Sequence, residues 1–89
     1  MPRPHPLRRV TVYHAEHCHL CDRAIEVVRE AQARVPFELD LVDIGGVAEL
    51  EARFRELIPV VEIDGATAFT YFVSLEVLLE RLECGASGC

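Results

Sequence analysis

Apolar residues recur along the chain with two different spacings, and these spacings predict alternating strands and helices. Short runs of β-branched and aromatic residues predict four strands, over residues 10–14, 37–42, 60–63 and 67–72. The first run is apolar on both faces, at Val10, Val12 and Tyr13, which favours a sheet covered on both sides. The second run alternates apolar and polar residues, and we expect it at an edge of the sheet.

Three helices are predicted between and after these strands. The first begins at a pair of cysteines and ends before Pro36, since a residue that precedes proline disfavours the helical conformation. The second ends near Pro59, and the third begins at Ser74, a favourable N-cap, and ends at Gly85. The residues expected to face the core, helix by helix, are Leu20, Ala24, Val27, Val28 and Ala31, then Val47, Leu50, Phe54 and Leu57, then Leu75, Leu78, Leu79 and Leu82.

The resulting order of elements is β-α-β-α-β-β-α. Asp64 and Gly65 separate the last two strands, and both tolerate the positive φ of a type I′ turn, which predicts an antiparallel hairpin. The first crossover should be right-handed and join parallel strands. The fold is therefore predicted to be α/β, a four-stranded mixed sheet with helices on both faces. At 89 residues we expect a single domain over 1–89, with flexible tails at 1–7 and 85–89.

The candidate chemistry lies where the first strand meets the first helix, in the motif Cys18-His19-Leu20-Cys21. The unpaired N–H groups and the dipole of a helix N-terminus favour a thiolate, which should bring the pKa of Cys18 below the usual value of about 8.5. Cys21 lies about one helical turn further on, close enough to attack a mixed disulfide formed by Cys18. The sequence thus predicts Cys18 as a nucleophile and Cys21 as the resolving thiol of a redox-active dithiol.

A zinc site is the main alternative for the same residues. His14, His17, Cys18 and Cys21 form a four-ligand set on paper, and zinc accepts both residue types. His14 ends the predicted strand, however, and the two cysteines would have to leave their helix-start geometry to complete a tetrahedron. A second cysteine pair at zinc-site spacing is also missing from the sequence. We therefore predict no metal ligands.

Three further side chains have open interpretations. His19 lies between the two cysteines and, if charged, would stabilise the reduced thiolate; it is equally consistent with an exposed histidine that has no role. Cys84 and Cys89 permit a second redox pair by their spacing. We favour the simpler interpretation of a thiol at the end of a helix and an incidental thiol in a tail.

The chain resembles the thioredoxin fold in its minimal, glutaredoxin-like form, and in particular the small glutaredoxin-like proteins that carry CHLC as their active-site motif. Three matches in order carry the resemblance: Cys18 to Cys21 after a strand, Ile58-Pro59-Val60-Val61 before a strand, and the Asp64-Gly65 hairpin. The resemblance implies that Pro59 is cis and lies against the active-site sulfurs. We expect the mixed disulfide to dock along Ile58 and Pro59, because the backbone before a cis-proline is free to pair with an extended segment. His19 is the third residue predicted to bind substrate.

Two departures from that family argue against glutathione as a co-substrate. Glutathione-using glutaredoxins usually carry paired glycines after the last strand, whereas residues 70–74 here are Thr-Tyr-Phe-Val-Ser. They also tend to have a basic residue just before the first cysteine, whereas this chain has Ala15, Glu16 and His17. We therefore expect no cofactor, and a protein disulfide or a small thiol as the reaction partner.

Composition narrows the function further. A net charge of −6 argues against nucleic acid, whose phosphates need a clustered basic surface. No apolar run approaches the roughly 20 residues of a membrane span, and Pro2, Pro4 and Pro6 interrupt the region where a signal peptide needs apolar residues. The sequence thus predicts a cytoplasmic, monomeric thiol–disulfide oxidoreductase. The alternative is a non-enzymatic module of the same fold that binds zinc or a partner protein through the cysteine motif.

Overall fold

The computed structural model describes residues 8–84 of the chain. The tails at 1–7 and 85–89, expected to be flexible, lie outside the described residues, as do Gly85 and Cys89. The predicted order of elements is confirmed. The elements are β1 (Arg9–His14), α1 (His19–Arg34), β2 (Glu38–Asp43), α2 (Ala48–Phe54), β3 (Val60–Ile63), β4 (Ala66–Thr70) and α3 (Leu75–Cys84).

The four strands form one mixed sheet in the order β2-β1-β3-β4. β1 pairs in parallel with β2, and β3 pairs antiparallel with both β1 and β4. His14 at the end of β1 is in register with Asp43 at the end of β2, and Tyr13 is in register with Val60 at the start of β3. The segments that follow β1 and β2 and the segment that precedes β3 therefore meet at one edge of the sheet.

The larger core fills the space between the sheet and the pair α1 and α3. Alternate residues of β1 and β3 point into it and are packed by the apolar faces of the two helices. Its buried members are Val10, Val12, Val28, Ala31, Phe37, Val61, Ile63, Leu78 and Leu82.

A smaller core lies on the opposite face of the sheet, under α2. Ile44, Phe54 and Val60 are buried there, and the Tyr13 ring stacks on the Phe54 ring with 4.2 Å between centroids. Val60 and its neighbour Val61 thus serve opposite faces, as the alternation of a strand requires. The sheet has helices on both faces, as predicted.

Some predicted core positions are wrong. Leu20 is 41% exposed, and Val47 and Leu57 are 44% and 39% exposed. Val47 is the N-cap of a seven-residue α2 and Leu57 lies in the turn beyond it, so neither is on the helix face that packs on the sheet. β4 was predicted to reach Phe72 but ends at Thr70. Among the residues described, no helix combines the length and apolarity that crossing a membrane would require.

The predicted hairpin turn between β3 and β4 is confirmed. Asp64 and Gly65 have φ of +52° and +88°, both in the left-handed region that a type I′ turn needs. The Asp64 carboxylate also accepts a hydrogen bond from the Arg9 backbone N–H at 2.9 Å and one from the Arg8 guanidinium at 2.6 Å. The turn therefore ties the end of β3 to the start of β1.

Candidate functional site

The two cysteines of the motif lie at the start of α1 and form a disulfide. Cys18 is the N-cap of the helix, with extended backbone, and its Sγ accepts a hydrogen bond from the Cys21 N–H at 3.1 Å. Cys21 is 1% exposed, whereas Cys18 is only half buried. The predicted helix-start position of Cys18 is confirmed, and Cys18 is the more exposed of the two cysteines.

The residue before Cys18 has an unusual backbone conformation. His17 has a φ of +58°, in the left-handed region that residues other than glycine seldom adopt. It closes the turn between β1 and α1, and its side chain is exposed. The turn thereby directs Cys18 to the edge of the sheet where the three segments meet.

A pocket of about 680 Å³ opens beside Cys18 at this edge. One wall is the segment after β1, a second is the turn after β2, and a third comes from the end of α2 and from Ile58. The lining includes the carboxylates of Glu16, Asp43 and Glu51 and the guanidinium of Arg55. Sequence reasoning missed the second wall, although the parallel pairing of β1 and β2 implies that the segments after them are neighbours.

The turn in that second wall uses its own amide groups internally. Gly45 N–H donates to the Asp43 carboxylate and Gly46 N–H to the Glu51 carboxylate, each at 2.8 Å. Gly46 has a φ of +82°, which glycine adopts without a Cβ penalty. These glycines therefore shape the pocket wall.

A second groove, of about 540 Å³, lies on the other side of the helix start. It runs between α1 and the segment that follows β4. Leu20, 41% exposed, and Phe72, 72% exposed, both line it. His19 and Tyr71 line it as well. His19 is thus placed beside this groove and outside the lining of the Cys18 pocket.

The segment around Pro59 has part of the geometry that the resemblance implied. The Ile58–Pro59 peptide bond is cis, as the resemblance implied, and Pro59 is buried while Ile58 borders the pocket beside Cys18. The expected contact of Pro59 with the sulfurs stays a prediction. The backbone of Ile58 is less available than expected, because its N–H already donates to the Phe54 carbonyl oxygen at 3.0 Å.

The family model described as Glutaredoxin-like domain (DUF836) matches residues 9–83, most of the chain and all of the site just described. The chain belongs to this family. A comparison with curated proteins found no match.

Solved structures agree with the family and the fold. Protein Ne2328 from Nitrosomonas europaea superposes on this glutaredoxin-like domain with a TM-score of 0.75 at 28% identity, covering 92% of this chain and 99% of its own. Target protein XcR50 from X. campestris has a TM-score of 0.70 at 26% identity, with coverages of 84% and 96%. Thioredoxin-2, a component of malaria parasite protein secretion machinery, shares the fold with a TM-score of 0.69 at 17% identity, with coverages of 91% and 85%.

Three histidines lie close to the motif in the chain, at positions 14, 17 and 19. His14 is the last residue of β1, and its carbonyl oxygen accepts a hydrogen bond from Ile44 N–H at 2.8 Å. Within residues 8–84, no group of three or more His, Cys, Asp or Glu side chains is placed to hold a metal ion. In this glutaredoxin-like domain Cys18, which is half buried, lines the first pocket, and its neighbour His19 lines the second groove.

Proposed function

We propose that this glutaredoxin-like domain is a thiol–disulfide oxidoreductase, with Cys18 as the nucleophile and Cys21 as the resolving cysteine. The observation that carries the proposal is the N-cap position of Cys18, whose Sγ accepts a hydrogen bond from the Cys21 N–H. The same N–H group and the helix dipole would stabilise a Cys18 thiolate in the reduced protein. The burial of Cys21 and the partial exposure of Cys18 support the division of roles.

The reaction proceeds in two exchange steps. The Cys18 thiolate attacks one sulfur of a substrate disulfide, forming a Cys18–substrate mixed disulfide and releasing the other substrate sulfur as a thiolate that takes up a proton. Cys21, deprotonated, then attacks Cys18 Sγ, forming the Cys18–Cys21 disulfide and releasing the second substrate thiol. Two electrons pass from the dithiol to the substrate, and a protein dithiol or a small thiol must return them for another cycle.

The substrate that we propose is a protein disulfide or a small disulfide that enters beside Cys18. The pocket there, about 680 Å³, is large enough for part of a polypeptide segment, and half-buried Cys18 is in its lining. Ile58 lines this pocket together with Cys18, so an extended chain joined to Cys18 would lie against the Ile58 side chain. Residues 70–74 lack the paired glycines that glutathione-using glutaredoxins usually carry, and three of them, Tyr71, Phe72 and Val73, line the other groove with side chains, so we do not propose glutathione as the substrate.

Trapping of the mixed disulfide tests the proposal. In a Cys84→Ser/Cys89→Ser background, the additional Cys21→Ser variant, first reduced and then freed of reductant, should attack an interchain disulfide of intact insulin and accumulate a one-to-one mixed disulfide at Cys18. The matched Cys18→Ser variant should accumulate none. Reduced Cys18 should also react with iodoacetamide well below pH 8 and faster than Cys21, because only the thiolate is nucleophilic. Equal, slow alkylation of both cysteines, or trapping at neither, would contradict the mechanism.

A further inference from the structure

A rare turn follows β4, in the wall of the second groove. Phe72 N–H donates to the Thr70 carbonyl oxygen at 2.8 Å, which closes a three-residue turn around Tyr71. Tyr71 has a φ of +70°. These two features match the classic γ-turn, which is rare and strained. Glycine would adopt this conformation without a Cβ penalty, so a tyrosine here indicates that its side chain does something glycine cannot.

Tyr71 makes hydrogen bonds to both ends of the segment 56–59, which contributes to the wall of the Cys18 pocket. Its phenol donates a hydrogen bond to the Glu56 carbonyl oxygen at 2.7 Å, and its backbone N–H donates to the Pro59 carbonyl oxygen at 2.9 Å. Ile58 lies between these two anchors and borders the pocket beside Cys18. Tyr71 therefore makes a hydrogen bond on each side of Ile58 along the chain and fixes the part of the pocket wall that Ile58 forms.

The opposite side of the same wall is held by α2. The Ile58 N–H donates to the carbonyl oxygen of Phe54, the last residue of that helix. Phe54 itself is 5% exposed and is packed on the sheet. Of the three hydrogen bonds just described, only the one from the Tyr71 phenol is made by a side chain, and that side chain is half exposed. Tyr71→Phe therefore removes this one hydrogen bond and no backbone donor or acceptor.

We propose that Tyr71 is a positioning residue that holds the Ile58 wall in place for an extended polypeptide docking beside Cys18. The inference rests on the proposed function, because it concerns the substrate side of the same site. Tyr71 acts through Glu56 and Pro59 and takes no part in the transfer of electrons. Its removal should weaken docking of a protein disulfide and leave attack by Cys18 on a small disulfide unchanged, because a small disulfide needs Cys18 but not the wall.

The test compares Tyr71→Phe, which removes only the phenol oxygen, with Tyr71→Gly, which also relieves the positive φ. We expect both variants to raise KM for insulin disulfide reduction about three- to tenfold, the range that loss of one ordinary hydrogen bond spans, with kcat kept. The rate with 5,5′-dithiobis(2-nitrobenzoate) and the pH profile of Cys18 alkylation should not move. Amide hydrogen exchange at Ile58 should accelerate in both variants.

Tyr13→Phe is the matched control, because it removes the phenol of the other tyrosine, which stacks on Phe54 under α2. It should leave KM unchanged. An unchanged KM in Tyr71→Phe, an equal rise in Tyr13→Phe, or a parallel loss with the small disulfide would overturn the positioning role. A wild-type protein that reduces neither substrate would overturn the proposed function itself, and the positioning role with it.

Discussion

Asp64 shows how one side chain joins three parts of the fold. Its carboxylate receives the Arg9 backbone N–H at the start of β1 and the Arg8 guanidinium, and Arg8 also donates to the Arg81 carbonyl oxygen near the end of α3 at 3.1 Å. The Arg9 N–H holds the pKa of Asp64 below its ordinary value of 3.8; partial burial opposes this, and the Arg8 guanidinium reinforces it. The ionised form is therefore the form that the fold prefers.

Stability should depend on pH through this group. Because the folded pKa of Asp64 is lowered, its stabilising contribution is fully present above pH 3.8 and is lost as the pH falls through the lowered value. Asp64→Asn should reduce the free energy of unfolding by about 1 kcal/mol at pH 7, a modest value because the carboxylate is half exposed to solvent screening. The wild-type and variant curves should converge in acid.

Urea unfolding at a series of pH values measures this difference. Glu80→Gln, an exposed carboxylate on α3, controls for the loss of one negative charge. A difference between wild type and Asp64→Asn that stayed constant from pH 7 to pH 3 would contradict the role assigned to the Asp64 carboxylate.

At the scale of elements, α2 is the one that depends most on a single side chain. The helix has seven residues, too few to be stable in isolation, and Phe54 is its only buried residue. The Phe54 ring stacks on the Tyr13 ring, with 4.2 Å between centroids, and the Arg53 guanidinium lies 4.7 Å from the Phe54 centroid. Its carbonyl oxygen also accepts the Ile58 N–H, so α2 supports the wall of the Cys18 pocket.

Phe54→Ala should therefore lower the free energy of unfolding by about 3 kcal/mol, the lower end of the cost of removing a buried aromatic side chain. Leu57→Ala, three residues on in the following turn and 39% exposed, should change it by less than about 1 kcal/mol. Urea denaturation of both variants checks the contrast. Similar losses for Phe54→Ala and Leu57→Ala would mean that α2 is not held by Phe54.

The elements differ in how far their sequence predicts them. The Asp64–Gly65 turn is predictable because its conformation depends on two adjacent residues that tolerate positive φ. Leu20 fits the apolar face of α1 by spacing but lies on the first turn, beyond the edge of the larger core, and so is exposed. The positive φ of Tyr71 is not predictable from the local sequence, because a tyrosine seldom adopts it and the hydrogen bonds from Tyr71 to Glu56 and Pro59 are tertiary.

At the scale of the molecule, the topology brings the site together. The parallel pairing of β1 with β2 and the antiparallel pairing of β1 with β3 place Cys18, the Gly45–Gly46 turn and Ile58 around one pocket, although they are far apart in the chain. The cysteine motif and the order of strands and helices can be predicted from the sequence. The walls of the pocket depend on loop conformations that follow only once the strands are paired.

The reduction potential of the Cys18–Cys21 pair tests the central claim most directly. It is measured by equilibrating the Cys84→Ser/Cys89→Ser variant with defined glutathione and thioredoxin redox buffers and quantifying the disulfide. The account predicts a reversible disulfide with a potential of about −270 to −120 mV, the range of proteins that exchange disulfides. A pair that never forms a disulfide, or one below about −300 mV as in purely structural disulfides, would contradict it.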